Sequence, residues 1–114
     1  MLDKDVERRY IVAIGDIQFE WDPLKNISNQ KKHGISFEEA ATVFSDSMYI
    51  EIVDPDHSQY EERFIAFGIS ERCKLLAVCY SVLGDEETLR IFSSREATAN
   101  EARQYGEKTN AGRI

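Results

Sequence analysis

Phe19-Glu20-Trp21-Asp22-Pro23-Leu24-Lys25-Asn26, followed by Asn29-Gln30-Lys31-Lys32-His33-Gly34, holds a strand end, a capped helix and a helix stop within sixteen residues. Asp22 is a good N-cap, because its carboxylate can accept from free backbone N–H groups two or three residues on. Pro23 suits the first helical position, where its missing N–H costs nothing. Gly34 supplies the left-handed residue that ends a helix. The spacing predicts a helix over about 23–33. On it Lys25, Asn29 and Lys32 share one stripe, with His33 at its edge. Leu24 and Ile27 point to another side and are expected to anchor the helix to a core. On an acidic chain this cluster suggests an anion site. The plainer reading is a solvated polar face.

The 114 residues suit one domain with a single core. No apolar run approaches the roughly 18 residues of a membrane span. The N-terminus has no basic-then-apolar leader, as Asp3, Asp5 and Glu7 come first. Cys73 and Cys79 are the only cysteines, expected to be buried or reduced, as in a cytoplasmic protein. His33 and His57 are the only histidines. With no Cys or His pair at ligand spacing, neither a metal nor another cofactor is expected. Net charge is −7, and from Gly34 to Glu62 there are eight acids and no Lys or Arg. That block reads either as a solvated face or as an acidic surface for a basic partner.

Working outward, 10–14 is an apolar run, an added strand or an ordered arm, and 17–21 is a short strand. Ser36 opens a second helix, with Glu39 completing a capping box. Phe37, Ala40, Ala41 and Phe44 have the spacing of a buried helical face. From residue 48 the period becomes two, predicting strands over 48–53, 63–69, 74–82 and 88–93. Asp54-Pro55-Asp56 stops the first. The short connections make hairpins, hence an antiparallel meander. Ser93 with Glu96 looks like a second capping box, opening a final helix that runs to about Gly106. The order predicts an α+β fold, an N-terminal strand and two helices packed on a four-stranded antiparallel meander with a C-terminal helix. Residues 1–16 form an extension, 17–106 the domain and 107–114 a polar tail.

The ordered pieces are Phe19-Glu20-Trp21-Asp22, Lys25, Asn29, Lys32-His33-Gly34 and Phe37-Glu38-Glu39-Ala40. Glu62-Arg63 through Gly68 follows, then Arg90-Ile91-Phe92-Ser93-Ser94-Arg95-Glu96-Ala97-Thr98 with Glu101 and Tyr105. Over about residues 18 to 106 this resembles the BrnT family of bacterial type II toxins. The resemblance implies a RelE-like fold and a growth-inhibiting ribonuclease, with RNA as substrate. It also implies a cognate antitoxin, basic and DNA-binding, of the ribbon-helix-helix BrnA-like kind. DNA would be reached only through that antitoxin, and no membrane is involved. The alternative is a non-catalytic antitoxin-binding partner or corepressor derived from such a toxin. The net negative charge sits oddly with RNA contact.

RNA cleavage without a metal needs a base for the 2′-hydroxyl, an acid for the leaving 5′-oxygen and cations for the phosphate. The candidates are Lys25, Lys32, His33, Arg63, Arg90 and Arg95. If Ser93 is an N-cap, Arg95 lies in the first turn of a helix, where a cation opposes the dipole and an anion is welcome. Arg95 therefore either holds phosphate or pairs with a carboxylate such as Glu101 or Glu62. Arg90 faces away from Leu89 and Ile91. His33 is either the acid–base group or a cap on the last carbonyls of its helix. Glu62 is a second possible base, and Tyr80 a possible donor to phosphate. Tyr80 and Tyr105 read more simply as packed aromatics, and His57 as an exposed loop residue.

Overall fold

A computed structural model describes residues 10–56, 62–84 and 88–111. Strand β1 (Tyr10–Ile14) and β2 (Ile17–Trp21) form an antiparallel hairpin. Its two-residue turn starts at Gly15, whose φ of 61° suits glycine. Helix α1 (Pro23–His33) and the short α2 (Phe37–Ala41) follow, and a 3-10 turn (Thr42–Ser45) prolongs α2. Then come β3 (Ile50–Val53), β4 (Phe64–Ile69), β5 (Leu75–Val82), β6 (Thr88–Glu96) and helix α3 (Ala99–Ala111). The sheet order is β1-β2-β6-β5-β4-β3. Neighbours are antiparallel except β2 and β6, which run parallel. The architecture is α+β. The expected sheet of four strands with a separate N-terminal strand is instead one six-stranded sheet, because the hairpin of β1 and β2 is hydrogen-bonded onto β6. The Tyr10–Ile14 run is a strand of that sheet.

One face of the sheet meets α2 and its 3-10 extension. Phe19, Trp21, Ile91, Tyr80, Val78, Leu76 and Ala66 pack there with Ile35, Phe37, Ala40, Ala41 and Val43. Trp21 meets Phe37 edge-on at 6.0 Å, and Phe44 meets Tyr80 edge-on at 4.9 Å. These are favoured aromatic geometries. Gly68 allows the 3-10 turn to press onto β4. A Cβ there would lie 2.7 Å from Val43 Cγ1.

The helix signals read from sequence hold at both ends of α1. Asp22 Oδ1 accepts from Leu24 N at 2.9 Å, and Gly34 adopts φ 72°. Its inward face is different from the expected one. Leu24 and Ile27 are 58% and 50% exposed, and the buried residues are Asn26 and Asn29. Asn29 Nδ2 donates to Ile35 O and Ser94 O, both at 2.8 Å, while its Oδ1 accepts from Ser94 N at 3.2 Å. The cause is the sheet. β2 pairs with β6 only as far as Arg90. Beyond that point the backbone of β6 needs partners, and a buried backbone group left unpaired is costly. A side-chain amide offers a donor and an acceptor together, which Leu or Ile cannot. Asn26 does similar work on α2, accepting from Phe37 N at 2.8 Å and donating to Glu38 Oε1 at 2.7 Å.

Three other expectations change. Ser36 Oγ caps α2 through Glu39 N at 3.0 Å, but the Glu39 carboxylate is buried and accepts from Ser70 Oγ at 2.8 Å. Ser93 is not an N-cap, because β6 continues to Glu96. The box belongs to Thr98 and Glu101: Glu101 N donates to Thr98 Oγ1 at 3.2 Å, and Thr98 N to Glu101 Oε1 at 2.8 Å. Arg95 is thus a strand residue, and the helix-dipole argument for it fails. Its guanidinium instead grips Glu101 with both arms, at 2.7 and 2.9 Å. Finally α3 continues past Gly106 to Ala111, tied through Tyr105, whose hydroxyl donates to Asp46 Oδ2 at 2.7 Å.

Two outcomes follow for stability. Asn29→Ala orphans the Ser94 N–H and two carbonyls, and should cost about 2–4 kcal/mol in urea denaturation. Ile27→Ala, at an exposed site, should stay within about 0.5 kcal/mol. Equal effects of the two would contradict this account of α1. The second outcome concerns acid. The Arg95 hydrogen bonds hold Glu101 below its ordinary 4.5, helped by Thr98, against the opposing effect of burial. A carboxylate depressed in the folded state adds stability above its unfolded pKa and loses it as pH falls through the folded one. Thermal melts should therefore show a decline below about pH 4.5 that is smaller in Glu101→Gln, with no difference in slope between pH 6 and 8.

Candidate functional site

The site is built where β2 hands over to α1 beside β6. Pinned by its two asparagines, α1 leaves Lys25, Lys32 and His33 exposed along its flank. Opposite them β6 contains a bulge. Cys79 on β5 pairs with Ser93 and Tyr80 with Ile91, so Phe92 has no partner across the strands. A bulge bends a strand and re-aims a side chain. Between α1 and the bulge lies a cleft of about 200 Å³, lined by Lys25, Ser28, Asn29, Lys32, His33, Phe92 and Ser93.

Cations gather around the Phe92 ring. The Arg63 guanidinium lies 3.8 Å from the ring centroid, Lys25 Nζ 5.8 Å and the Arg90 guanidinium 5.9 Å. These are cation–π distances. Arg63 comes from just before β4, and Arg90 from β6 itself. Arg90 is held across the parallel pair by Glu20, which is 3% exposed, at 2.7 Å. Three positive groups beside one ring repel one another unless anions lie near. Glu20 supplies one for Arg90, and among the described residues no carboxylate lines the cleft.

A second depression of about 160 Å³ adjoins the first. It is lined by Asp54, Asp56, Ile65, Ala77, Cys79, Ser93 and Arg95, and Ser93 borders both. Arg95 therefore lies in the neighbouring hollow, committed to Glu101. Burial pushes the Cys79 thiol up to about 11, and the Asp54 charge adds to this. Such a thiol stays protonated near neutrality and is a poor nucleophile.

Two of the remaining candidates, Tyr80 and Tyr105, have structural duties. Tyr80 is buried and donates its hydroxyl to Glu51; burial first, then that carboxylate, drive its pKa far up. It is no phosphate donor in this arrangement. Tyr105 holds Asp46. Glu62 is exposed just before Arg63, and His57 lies outside the described residues. Phe92 and Glu20 were not singled out from sequence. The signal for Phe92 was present: after the alternation of Leu89, Arg90 and Ile91, Ile91-Phe92 places two apolar residues in succession.

Much of the acidic block is used internally. Burial raises Asp46, but hydrogen bonds from Ile69 N, the Tyr105 hydroxyl and Met48 N leave it below its ordinary 3.8. Glu39 and Asp54 are buried, and Glu51 receives Tyr80. The block is therefore not one continuous solvated surface. Among the described residues no helix is long and apolar enough to cross a membrane.

A family model described as ribonuclease toxin, BrnT, of type II toxin–antitoxin system matches residues 21–101. Among solved structures the chain is similar to the Brucella abortus ribonuclease toxin BrnT. The two share 28% identity with a TM-score of 0.50, over 68% of this chain and 92% of that one. No curated protein matches. The family match takes in the whole of α1, the bulge of β6 and the Thr98–Glu101 cap, which are the elements that build the cleft and its neighbour; the chain belongs to the BrnT family of ribonuclease toxins of type II toxin–antitoxin systems.

Proposed function

We propose that this toxin, on a RelE-like frame, cleaves RNA in the cleft between α1 and β6 by attack of the substrate's own 2′-hydroxyl, without a metal. The observation that carries the reading is a cleft whose lining, among the described residues, has two lysines, a histidine and no carboxylate, on a chain of net charge −7. The phosphate lies among Lys25, Lys32 and Arg63. In the reaction the 2′-oxygen forms a bond to phosphorus and the bond to the 5′-oxygen breaks, leaving a 2′,3′-cyclic phosphate and a 5′-hydroxyl. His33 takes the 2′-hydroxyl proton, and the leaving oxygen takes a proton from the Lys32 ammonium or from water. Preorganised cations stabilise charge that develops in the transition state. Arg90, fixed by Glu20, supports the Phe92 cluster. Arg95 stands at the margin, and its pairing with Glu101 gives it a structural share.

Family membership implies an antitoxin. We take it to be a basic ribbon-helix-helix protein that reaches DNA, so the toxin meets DNA only through it, in the cytoplasm. A second reading is a corepressor that no longer cleaves. The pairing of both Arg90 and Arg95 with carboxylates favours it.

Purified protein freed of antitoxin is incubated with an RNA oligonucleotide and with its 2′-deoxy counterpart, with and without EDTA. Cleavage of the RNA alone, unaffected by EDTA, is expected. Lys25→Ala and Arg63→Ala should each lower turnover by about 10²–10³ with little change in melting temperature. Arg95→Ala should lower melting temperature and activity together. Cleavage of the deoxy strand, or a requirement for a divalent ion, would overturn the mechanism. No cleavage of any RNA would favour the corepressor.

A further inference from the structure

We propose that Phe92 is a specificity-determining residue: its ring is the platform on which one base of single-stranded RNA stacks beside the cleaved phosphate. This deepens the reading of the α1–β6 cleft and rests on it. Three observations point the same way. The bulge leaves Phe92 unmatched across the strands and turns it toward α1, where its ring forms part of the cleft wall. The ring is only partly buried, while Ile91 beside it is 1% exposed, so Phe92 is not a core residue. Finally, the Arg63 guanidinium lies over one side of the ring, 3.8 Å from the centroid, and is not part of the cleft lining, which Phe92 borders.

The chemistry suits a nucleotide. A base offers a π-face to an aromatic ring, and its phosphate offers charge to lysine and arginine. Stacking and charge together are how single strands are held without reading a duplex groove. Here both lie in one hollow, with Lys25 5.8 Å from the ring and Lys32 on the same wall. Ser28 and Ser93 add hydroxyls that can donate to or accept from a base edge. A duplex presents its bases stacked on one another, so the base must be splayed out. The cleft of about 200 Å³ is on the scale of one base and not of a helix. Phe92 also helps place Arg63, so a merely positioning role must be told apart from stacking.

The probe is a short 2′-deoxy oligonucleotide carrying a single 2-aminopurine, which binds without being cleaved. Stacking on the ring should quench its fluorescence. Phe92→Leu should weaken binding about tenfold and abolish the quench, while the slope of log affinity against log salt stays that of the wild type. Phe92→Trp should bind at least as tightly and quench. Lys25→Ala should keep the quench but lower the salt slope by about 0.7, one phosphate contact on a single strand. Unchanged binding by Phe92→Leu, or no quench with the wild-type protein, overturns the platform. A fall in the salt slope with Phe92→Leu also overturns it, because that is the mark of a displaced Arg63. If Phe92→Leu does not fold, failure of Phe92→Trp to quench is the overturning result. Quenching with no cleavage of RNA by the wild-type protein leaves the platform standing and removes the catalytic reading.

Discussion

The side-chain amide of Asn29 fixes α1 against β6. Where β2 departs to become α1, β6 keeps going, and its backbone at Ser94 loses the strand that would have paired with it. Asn29 replaces that strand with one side chain, accepting from Ser94 N and donating to Ser94 O. Its second donor bond, to Ile35 O, fixes the turn that leads into α2. Because a buried donor or acceptor without a partner is expensive, this geometry tolerates little drift. The position of α1 follows from it, and so does the width of the cleft that α1 forms with β6.

Charge is then distributed by what is buried. The chain is acidic, yet many acids serve the fold. Glu20 holds Arg90, Glu101 holds Arg95, Asp46 gathers three donors, and Glu39 receives Ser70. These carboxylates are thus paired, while the α1 flank carries Lys25, Lys32 and His33 with no acid in the cleft wall among the described residues. Net charge describes steering and solubility at a distance. Over the few ångströms of a phosphate contact, local lining decides. A negative chain can therefore present a cationic cleft.

The bulge in β6 links packing to chemistry. One extra residue shifts the alternation, so that Ile91 stays in the core while Phe92 escapes it. The same shift lets Ser94 face Asn29 and puts Ser93 between the two hollows. A regular strand could not meet these demands together, because alternate residues point to opposite faces.

Local chemistry was legible in the sequence. The Asp22 cap, Pro23 and Gly34 delimit α1 because caps act on backbone groups within three residues. Strand periodicity was equally local, and the β4 and β5 runs lie within a residue of their predicted ends. Tertiary pairing decided the rest. Leu24 and Ile27 looked like the buried face of α1, but the unpaired edge of β6 asks for amides, so Asn26 and Asn29 point inward. Ser93 and Glu96 had the spacing of a capping box, as did Thr98 and Glu101. Only the pairing of β5 with β6 through Glu96 shows that the second is used. Lys25, Lys32 and His33 could be grouped from one helix. Their meeting with Arg63, Arg90 and Phe92 depends on strands distant in sequence, and the separation of Arg95 depends on Glu101. Sequence spacing determines which residues share an element; the unsatisfied backbone and buried charge of the assembled sheet determine which elements share a site.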